Sequence, residues 1–271
     1  MNTALTIAGS DAGGGAGIQA DLKTFQEYGV FGTSVITVLT AQNTKGVQAI
    51  YPQTEQAVAD QMHSVLSDIG ADAVKTGMLY SAGIIETVAD LIEHYQVKNL
   101  VIDPVMYAKG GAALLRRDAM DALKSRLLPL ASLITPNLHE ACEIIGLDDI
   151  RTVEQMKEAA KRMLELGPAH VLLKGGHLDD DICVDILCTG DQVIELEAQR
   201  VHTRHTHGTG CTLSAAIAAG LARGLSMEES VSLGKKFITA AIANSPSVGH
   251  GIGPVGHHAY RDKFHWSKSL V

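Results

Sequence analysis

The sequence is poor in positive charge. It holds 22 lysines and arginines against 30 aspartates and glutamates, a formal net charge of −8. Such a balance excludes the basic footprint of a nucleic-acid binder and disfavours an anionic membrane surface. A phosphate compound remains within reach, because backbone amides at a helix start hold an anion whatever the net charge. Cysteine is scarce too. Cys142, Cys183, Cys188 and Cys211 form no C-x-x-C pair, which argues for reduced thiols in a cytoplasm rather than a disulfide scaffold. The opening Met1-Asn2-Thr3-Ala4-Leu5-Thr6-Ile7 has no basic segment before its apolar run and soon reaches Gly9. Neither a signal peptide nor a membrane span is expected. His202, His205, His207, His250, His257 and His258 show no H-E-x-x-H and no Cys/His spacing, so no transition-metal site is expected. No linker, low-complexity tract or internal repeat interrupts the chain, and one domain over residues 1–271 is expected.

Hydrophobic residues make up 46% and charged residues 19%, enough apolar material for a large core. Short continuous apolar runs at 4–8, 34–39, 73–76, 99–103, 132–135 and 170–174 read as strands buried on both faces. Between them, amphipathic stretches at 17–28, 55–69, 82–95, 117–128, 138–145 and 153–166 read as helices. This alternation predicts right-handed crossovers and a mostly parallel sheet covered by helices. After Gly175 the rhythm changes. Runs at 184–187 and 192–196, separated by Thr189-Gly190-Asp191, predict a late β-hairpin at a sheet edge. Helices at 210–222 and 227–244 follow.

Ligands of open parallel sheets bind where strands end and helices begin, and several such points here are unusual. The first strand runs into Gly9-Ser10-Asp11-Ala12-Gly13-Gly14-Gly15-Ala16-Gly17. Gly15 to Ala20 matches G-x-G-x-x-A, yet the second strand ends in Thr40-Ala41-Gln42-Asn43, without the acidic residue a dinucleotide site needs. No Gly-Lys-Ser/Thr follows, so a Walker loop is excluded as well. His207-Gly208-Thr209-Gly210-Cys211-Thr212 opens a small-residue helix; its glycines permit a tight turn whose amides converge, an anion hole. A thiol in that first turn is expected to have a lowered pKa; a packed structural cysteine is commoner for an arbitrary Cys, but the glycines around this one favour the anion-hole reading. Thr135-Pro136-Asn137-Leu138-His139-Glu140 puts Asn137 and Glu140 on one helical face, suited either to an N-cap or to oxygen ligation of hydrated Mg²⁺. Lys174 ends a strand before Gly175-Gly176, and Asp103-Pro104-Val105-Met106 offers a further carboxylate. Lys109, in Tyr107-Ala108-Lys109-Gly110-Gly111, is either a solvated loop lysine or part of a flap that meets phosphate on closure.

Five segments together resemble one family across nearly the whole chain. They are Leu5-Thr6-Ile7-Ala8-Gly9-Ser10-Asp11, Gly14-Gly15-Ala16-Gly17-Ile18-Gln19-Ala20-Asp21, Lys75-Thr76-Gly77-Met78-Leu79, Thr135-Pro136-Asn137 and Thr206-His207-Gly208-Thr209-Gly210-Cys211. The set resembles the hydroxymethylpyrimidine/phosphomethylpyrimidine kinases, close to the related pyridoxal kinases. The resemblance implies a ribokinase-like three-layer α/β/α sandwich and ATP-dependent phosphorylation of a hydroxymethylpyrimidine, then of its monophosphate, in thiamine biosynthesis. It implies a pyrimidine site at Gly9, Ala16, Asp21, Thr40, Gln42, Met78 and Val105. It also implies ATP phosphates at Asn137, Glu140, Lys174 and Thr209, and Mg²⁺ at Asp103 and Glu140. Transfer chemistry falls to Cys211, Gly208, Gly210 and Lys174, with Cys211 orienting the alcohol and accepting its proton where most of the superfamily carries Asp. A homodimer is implied as well. In the flap, where some pyridoxal kinases carry a second cysteine, this chain has Ala108.

Two other functions compete. A pyridoxal or pyridoxine kinase acts on a similar planar ring with a primary alcohol, and Gln42-Asn43 favours the pyrimidine over it. A non-catalytic binder on the same fold is opposed by the retained Asn137, Glu140, Lys174 and Cys211 turn.

Overall fold

The computed structural model describes residues 1–107, 111, 114–116, 118–176, 181–190 and 192–258. The chain opens with β1 (Thr3–Asp11), α1 (Gly17–Glu27), β2 (Phe31–Asn43), β3 (Gly46–Pro52) and α2 (Glu55–Asp68). Then come β4 (Ala73–Thr76), α3 (Ala82–His94), β5 (Leu100–Ile102), α4 (Ala119–Ala122), β6 (Leu133–Ile134), α5 (Leu138–Ile145) and α6 (Val153–Leu164). The last part is β7 (Val171–Leu173), β8 (Ile182–Thr189), β9 (Gln192–Gln199), α7 (Thr209–Ala222) and α8 (Met227–Ala243). The strands form one sheet in the order β3-β2-β1-β4-β5-β6-β7-β8-β9. From β2 to β7 neighbours run parallel; β3 at one edge and the β8–β9 hairpin at the other are antiparallel.

Strand alternation splits the core into two layers. Leu5, Ile7, Val74, Ile102, Ile134, Val171 and Leu173 face one way and pack under α2, α3, α5 and α6. Ala4, Ala73, Val101, Leu133 and Leu172 face the other way, under α1, α7 and α8. Each fully buried Leu or Ile contributes about 1.5–3 kcal/mol relative to exposure. Residues 212–222 of α7 are all buried, because α1 and α8 cover the side turned away from the sheet. A helix buried all round reads as apolar all round, and the alanines 215, 216, 218 and 219 let it lie close to its neighbours. Among the described residues, no helix is long and apolar enough to cross a membrane.

The α/β/α sandwich, its mostly parallel sheet and the late hairpin match the expectation; three local details differ. The second strand is not confined to 34–39 but extends through Asn43, alternating buried and half-exposed positions. Its partner β3 was not expected; its residues are half-buried or exposed, so it lacks the apolar run that marks a central strand. The helix expected at 117–128 is α-helical only over Ala119–Ala122, then a π turn (Leu123–Leu127) and a 3-10 turn (Leu128–Leu130). Pro129, which has no N–H to give, falls in that last turn.

Beneath the carboxyl ends of the strands lies a buried ion pair. Lys75 on β4 and Asp21 on α1 are both fully buried, with Nζ 2.8 and 3.0 Å from the two carboxylate oxygens. The Thr6 hydroxyl of β1 donates to the same carboxylate, so one charge pair ties two strands and a helix. Removing one partner leaves an uncompensated buried charge. Lys75→Met is therefore expected to lose about 3–5 kcal/mol of stability, read as a lower urea midpoint at neutral pH. Adding Asp21→Val is expected to recover part of that loss.

Candidate active site

The strand order reverses between β1 and β4: the chain leaves β1 toward β2 on one side and returns to β4 on the other. Crevices at such switch points receive ligands, and here one holds a cavity of about 310 Å³. Every parallel strand feeds it from its carboxyl end. β1 supplies Gly9, Ser10 and Asp11, β2 supplies Thr40 and Gln42, and the turn after β4 supplies Gly77 and Met78. Asp103 and Val105 come after β5, Asn137, His139 and Glu140 after β6, and Lys174 after β7. Gly208, Thr209, Gly210 and Cys211, at the start of α7, close the floor.

One end of the cavity is apolar, with Met78, Val105 and Leu114, which pack with Val38. The other end is charged. Lys174 Nζ lies 3.0 Å from Asp103 Oδ1, and the Thr135 hydroxyl lies 3.3 Å from the same oxygen. Asn137 and Glu140 form a capping box on α5: the Glu140 amide donates to Asn137 Oδ1 at 2.9 Å, and the Asn137 amide to Glu140 Oε2 at 2.8 Å. The N-cap reading is therefore correct, and it leaves the buried carboxyl of Glu140 lining the cavity beside Lys174 and Asp103.

Between the two ends, Gly208 caps α7 with φ 81°, a left-handed conformation that glycine adopts without penalty. A Cβ there would also strike the carbonyl of Gly15. Similarly Gly17, φ 55°, passes so close to Gly9 O that no side chain fits. The first glycine loop and the α7 turn thus touch backbone to backbone, and α7 aims its free amides into the space between the apolar and charged ends.

Burial dominates the titration of this cluster. It pushes the Cys211 thiol up to about 11, against the pull of Lys75 below it; Asp21 and Asp103 push the same way as burial, while a Gly17 amide hydrogen bond opposes them. The lowered thiol expected from the helix N-terminus is thus corrected: desolvation outweighs the helix and Lys75. Glu140 is raised to about 7, first by burial, with Asp103 adding to it and Lys174 and two backbone amides opposing. Lys174 is raised because Asp103 and Glu140 together outweigh its burial. At the charged end Lys174 faces two carboxyl groups, Asp103 and Glu140, while the Lys75–Asp21 pair lies beneath the floor. The donor set at the charged end is all oxygen and short of positive charge. It suits a hard divalent cation, which takes one or two carboxylates and completes its shell with phosphates and water.

Of the residues expected to act, Gly9, Ala16, Thr40, Gln42, Met78, Val105, Asp103, Asn137, Glu140, Lys174, Gly208, Thr209, Gly210 and Cys211 all line this one cavity. Asp21 does not. Its carboxylate lies below the floor, consumed by Lys75 and Thr6, so it cannot offer an edge to a ring. Lys109 lies outside the described residues. The cavity also contains residues that sequence reasoning did not single out, notably Asp11, Leu114, Tyr107, His139 and His207. Tyr107 and His139 stack at a tilt, their ring centroids 5.0 Å apart. His207 has a signal, its place directly before the glycine turn, but nothing in the sequence marks Asp11, 196 positions away, as its partner.

Comparison with known proteins agrees with this geometry. The family model described as phosphomethylpyrimidine kinase matches residues 11–256. The chain is 49% identical to the hydroxymethylpyrimidine/phosphomethylpyrimidine kinase of Escherichia coli over 95% of its own length and 98% of that protein's. Among solved structures, an ADP complex of Bacillus subtilis pyridoxal kinase superposes with a TM-score of 0.89 at 44% identity, covering 96% of this chain and 99% of that one. A Staphylococcus aureus pyridoxal kinase with AMP-PCP and pyridoxal bound gives 0.89 at 37% identity, covering 96% and 94%.

The raised Glu140 has a testable sign. Between its ordinary 4.5 and about 7 the folded protein keeps a proton that the unfolded chain has lost, so stability falls as pH rises through that window and the penalty is complete above it. Glu140→Gln removes the titration while its amide oxygen still accepts from the Asn137 amide. In metal-free buffer the variant is expected to be more stable than the parent at pH 8, by on the order of 2 kcal/mol, with the gap closing by pH 5. Denaturant melts at the two pH values check it.

Proposed function

The chain belongs to the phosphomethylpyrimidine kinase family, and from that membership we propose that it uses ATP to phosphorylate 4-amino-5-hydroxymethyl-2-methylpyrimidine. A second transfer then converts the monophosphate to the diphosphate, in thiamine biosynthesis. The observation that carries this reading is the cavity itself: an apolar slot with two polar edges opens directly onto a helix N-terminus flanked by Lys174, Asp103 and Glu140. A flat aminopyrimidine fits between Met78 and Val105, with Thr40 and Gln42 at its edge and Gly9 and Ala16 along its side. Its hydroxymethyl group is then directed at Cys211.

Phosphoryl transfer passes through a loose transition state, so positioning and charge neutralisation do most of the work. The amides of Gly208, Gly210 and Cys211 are assigned to the transferring group, whose negative charge they meet without reorganising. Lys174 is assigned to the phosphate oxygens, alongside Asn137 and Thr209. Asp103 and Glu140 would hold Mg²⁺, which when bound neutralises the phosphates and helps align them. Cys211 orients the acceptor alcohol. A thiol raised to about 11 is no resting base, so the earlier expectation that it accepts the proton is replaced: the proton leaves with the phosphorylated product.

The same reading takes the whole chain as one kinase domain, because a single sheet runs through all nine strands. It takes the working unit as a cytoplasmic homodimer. Four unpaired cysteines support the compartment, and Leu39 and Tyr51, exposed and paired across the β2–β3 edge, support association. A second reading, pyridoxal kinase, is favoured by the fold shared with enzymes of that name, since both substrates present a flat ring with one hydroxymethyl arm.

Purified protein with ATP and the pyrimidine alcohol is expected to yield first the mono- and then the diphosphate, followed by phosphorus NMR. A higher kcat/KM for pyridoxal in parallel assays would reverse the ranking. Lys174→Met is expected to lower kcat on the order of 10³-fold in both steps. Cys211→Ala is expected to slow the first transfer about 10- to 100-fold and the second much less, because the thiol orients a neutral alcohol whereas the monophosphate, already ionised near neutral pH, is held by its charge; equal losses in single-turnover assays of the two steps would refute that division.

A further inference from the structure

We propose that Asp11 and His207 form a latch that fixes the distance between the ring-binding wall and the phosphate-binding turn, and that His207 is a positioning residue for transfer. The proposal rests on the kinase reading above. Asp11, only 4% exposed, ends β1 and gathers the first glycine loop around its carboxylate. The amides of Gly13, Gly15 and Ala16 donate to it at 2.8, 3.0 and 2.9 Å. A fourth donor comes from across the cavity: His207 Nε2 lies 2.8 Å from Asp11 Oδ2. These contacts together hold the carboxyl below its ordinary range in spite of burial, so at neutral pH it is an acceptor for all four.

A carboxylate only accepts, so Nε2 of His207 carries the proton of that bond. The amide of Gln42 lies 3.3 Å from the same nitrogen and 3.2 Å from the Thr40 hydroxyl, whose single proton goes to Ser10 O at 2.9 Å. With its one proton given to Asp11, Nε2 reaches Gln42 only as the longer arm of a bifurcated bond to the amide oxygen, with the NH₂ turned to Thr40, a choice that heavy-atom positions alone leave open. The latch thus reaches the end of β2 as well.

The backbone of His207 is held from the other side. Its amide donates to Gly253 O at 3.1 Å, and its carbonyl accepts from the Val255 amide at 3.2 Å. The segment carrying those residues is in turn tied to the β2–β3 turn, where the Ile252 amide donates to Thr44 O at 2.8 Å. A side chain on Gly15 would meet the His207 ring at 2.7 Å and Pro254 at 2.8 Å, which shows how closely loop, ring and strap are stacked. Gly208, the cap of α7, is the very next residue. Any rotation of His207 moves the turn that receives the phosphoryl group relative to Ala16 and Gly9, which flank the ring.

Displacement of reacting groups by about 1 Å is enough to cost 10²-fold in rate, whereas each wall keeps its own ligand contacts. Breaking the latch should therefore act on kcat more than on KM. His207→Ala is expected to lower kcat about 10- to 100-fold, with KM for ATP and for the pyrimidine alcohol within about threefold of the parent. His207→Gln, which restores an N–H donor, is expected to recover most of that loss. Asp11→Asn combined with His207→Ala is expected to be no slower than the worse single variant, because both remove one link. A rise in KM with kcat retained, no rescue by Gln, or losses that multiply in the double variant would each overturn the latch. If His207→Ala does not fold, the cycle of Asp11→Asn with His207→Phe, which fills the space without an N–H, is read by the same criteria.

A readout independent of substrate separates this proposal from the kinase reading. By hydrogen exchange with mass spectrometry, loss of the His207 side chain is expected to speed exchange in peptides covering residues 11–17 and 207–211 together, tenfold or more, while β4 and β5 exchange as in the parent. Unchanged exchange in 11–17 would overturn the latch whatever the substrate. Failure of the parent to turn over the pyrimidine would count against the function alone.

Discussion

The ion pair between Lys75 and Asp21 governs the chemistry above it. Neither residue is exposed, and neither touches the cavity. Yet Lys75 stands under Cys211 and Asp103, and the Asp21 carboxylate, with Asp103 beyond it, holds the lysine charged against the strong pull of burial. A buried pair of this kind adds little net stability, because desolvation nearly cancels the attraction. Its consequence here is electrostatic: it sets a buried ammonium beneath the start of α7, where Lys75 pulls the Cys211 thiol down against burial.

The count of charges then explains why this cleft suits transfer between phosphates and alcohols. At the charged end two carboxyl groups, Asp103 and Glu140, face the single ammonium of Lys174, and Glu140, raised first by burial and then by Asp103, keeps its proton to about pH 7. A divalent cation is the complement that such a set is short of. Cys211 responds to the same surroundings by remaining a thiol. Both shifts have burial as their largest cause, and both argue that this chain does its work by holding charge in place rather than by carrying a strong base.

How far this could be read from the sequence depends on the length scale of each signal. Central strands were legible because burial on both faces demands continuous apolar residues, as at 73–76, which matches β4 to the residue. The glycines at 208 and 210 were legible because a tight turn before a helix admits few alternatives. β3 was not, since Gly46–Pro52 is an edge strand without a buried face of its own. The location of Asp21 was not either: a carboxylate four residues into α1 looks the same whether it faces a ring or a lysine, and Lys75 is 54 residues away. The Cys211 thiol differs from expectation for a related reason. A helix N-terminus is visible in sequence, whereas the desolvation of a thiol at a cavity floor depends on what the fold gathers around it.

The same distinction bears on substrate choice. The groups assigned to transfer, Lys174, Asp103, Glu140 and the α7 turn, are assigned to the phosphates and the hydroxymethyl arm, which both substrates share, so they cannot tell a pyrimidine from a pyridine. Discrimination must come from Thr40 and Gln42 at the end of β2 and from the apolar faces of Met78 and Val105. An apolar face distinguishes rings of similar size weakly, while a buried polar group left unpaired rejects the wrong ring strongly. Gln42 is therefore the residue with most leverage, and its amide is oriented by His207 on one side and Thr40 on the other. The histidine that holds the two walls together also sets which hydrogen-bonding face the ring meets. Alignment for transfer and choice of ring thus depend on one contact between loops that are almost two hundred residues apart in the chain, 196 positions from Asp11 to His207.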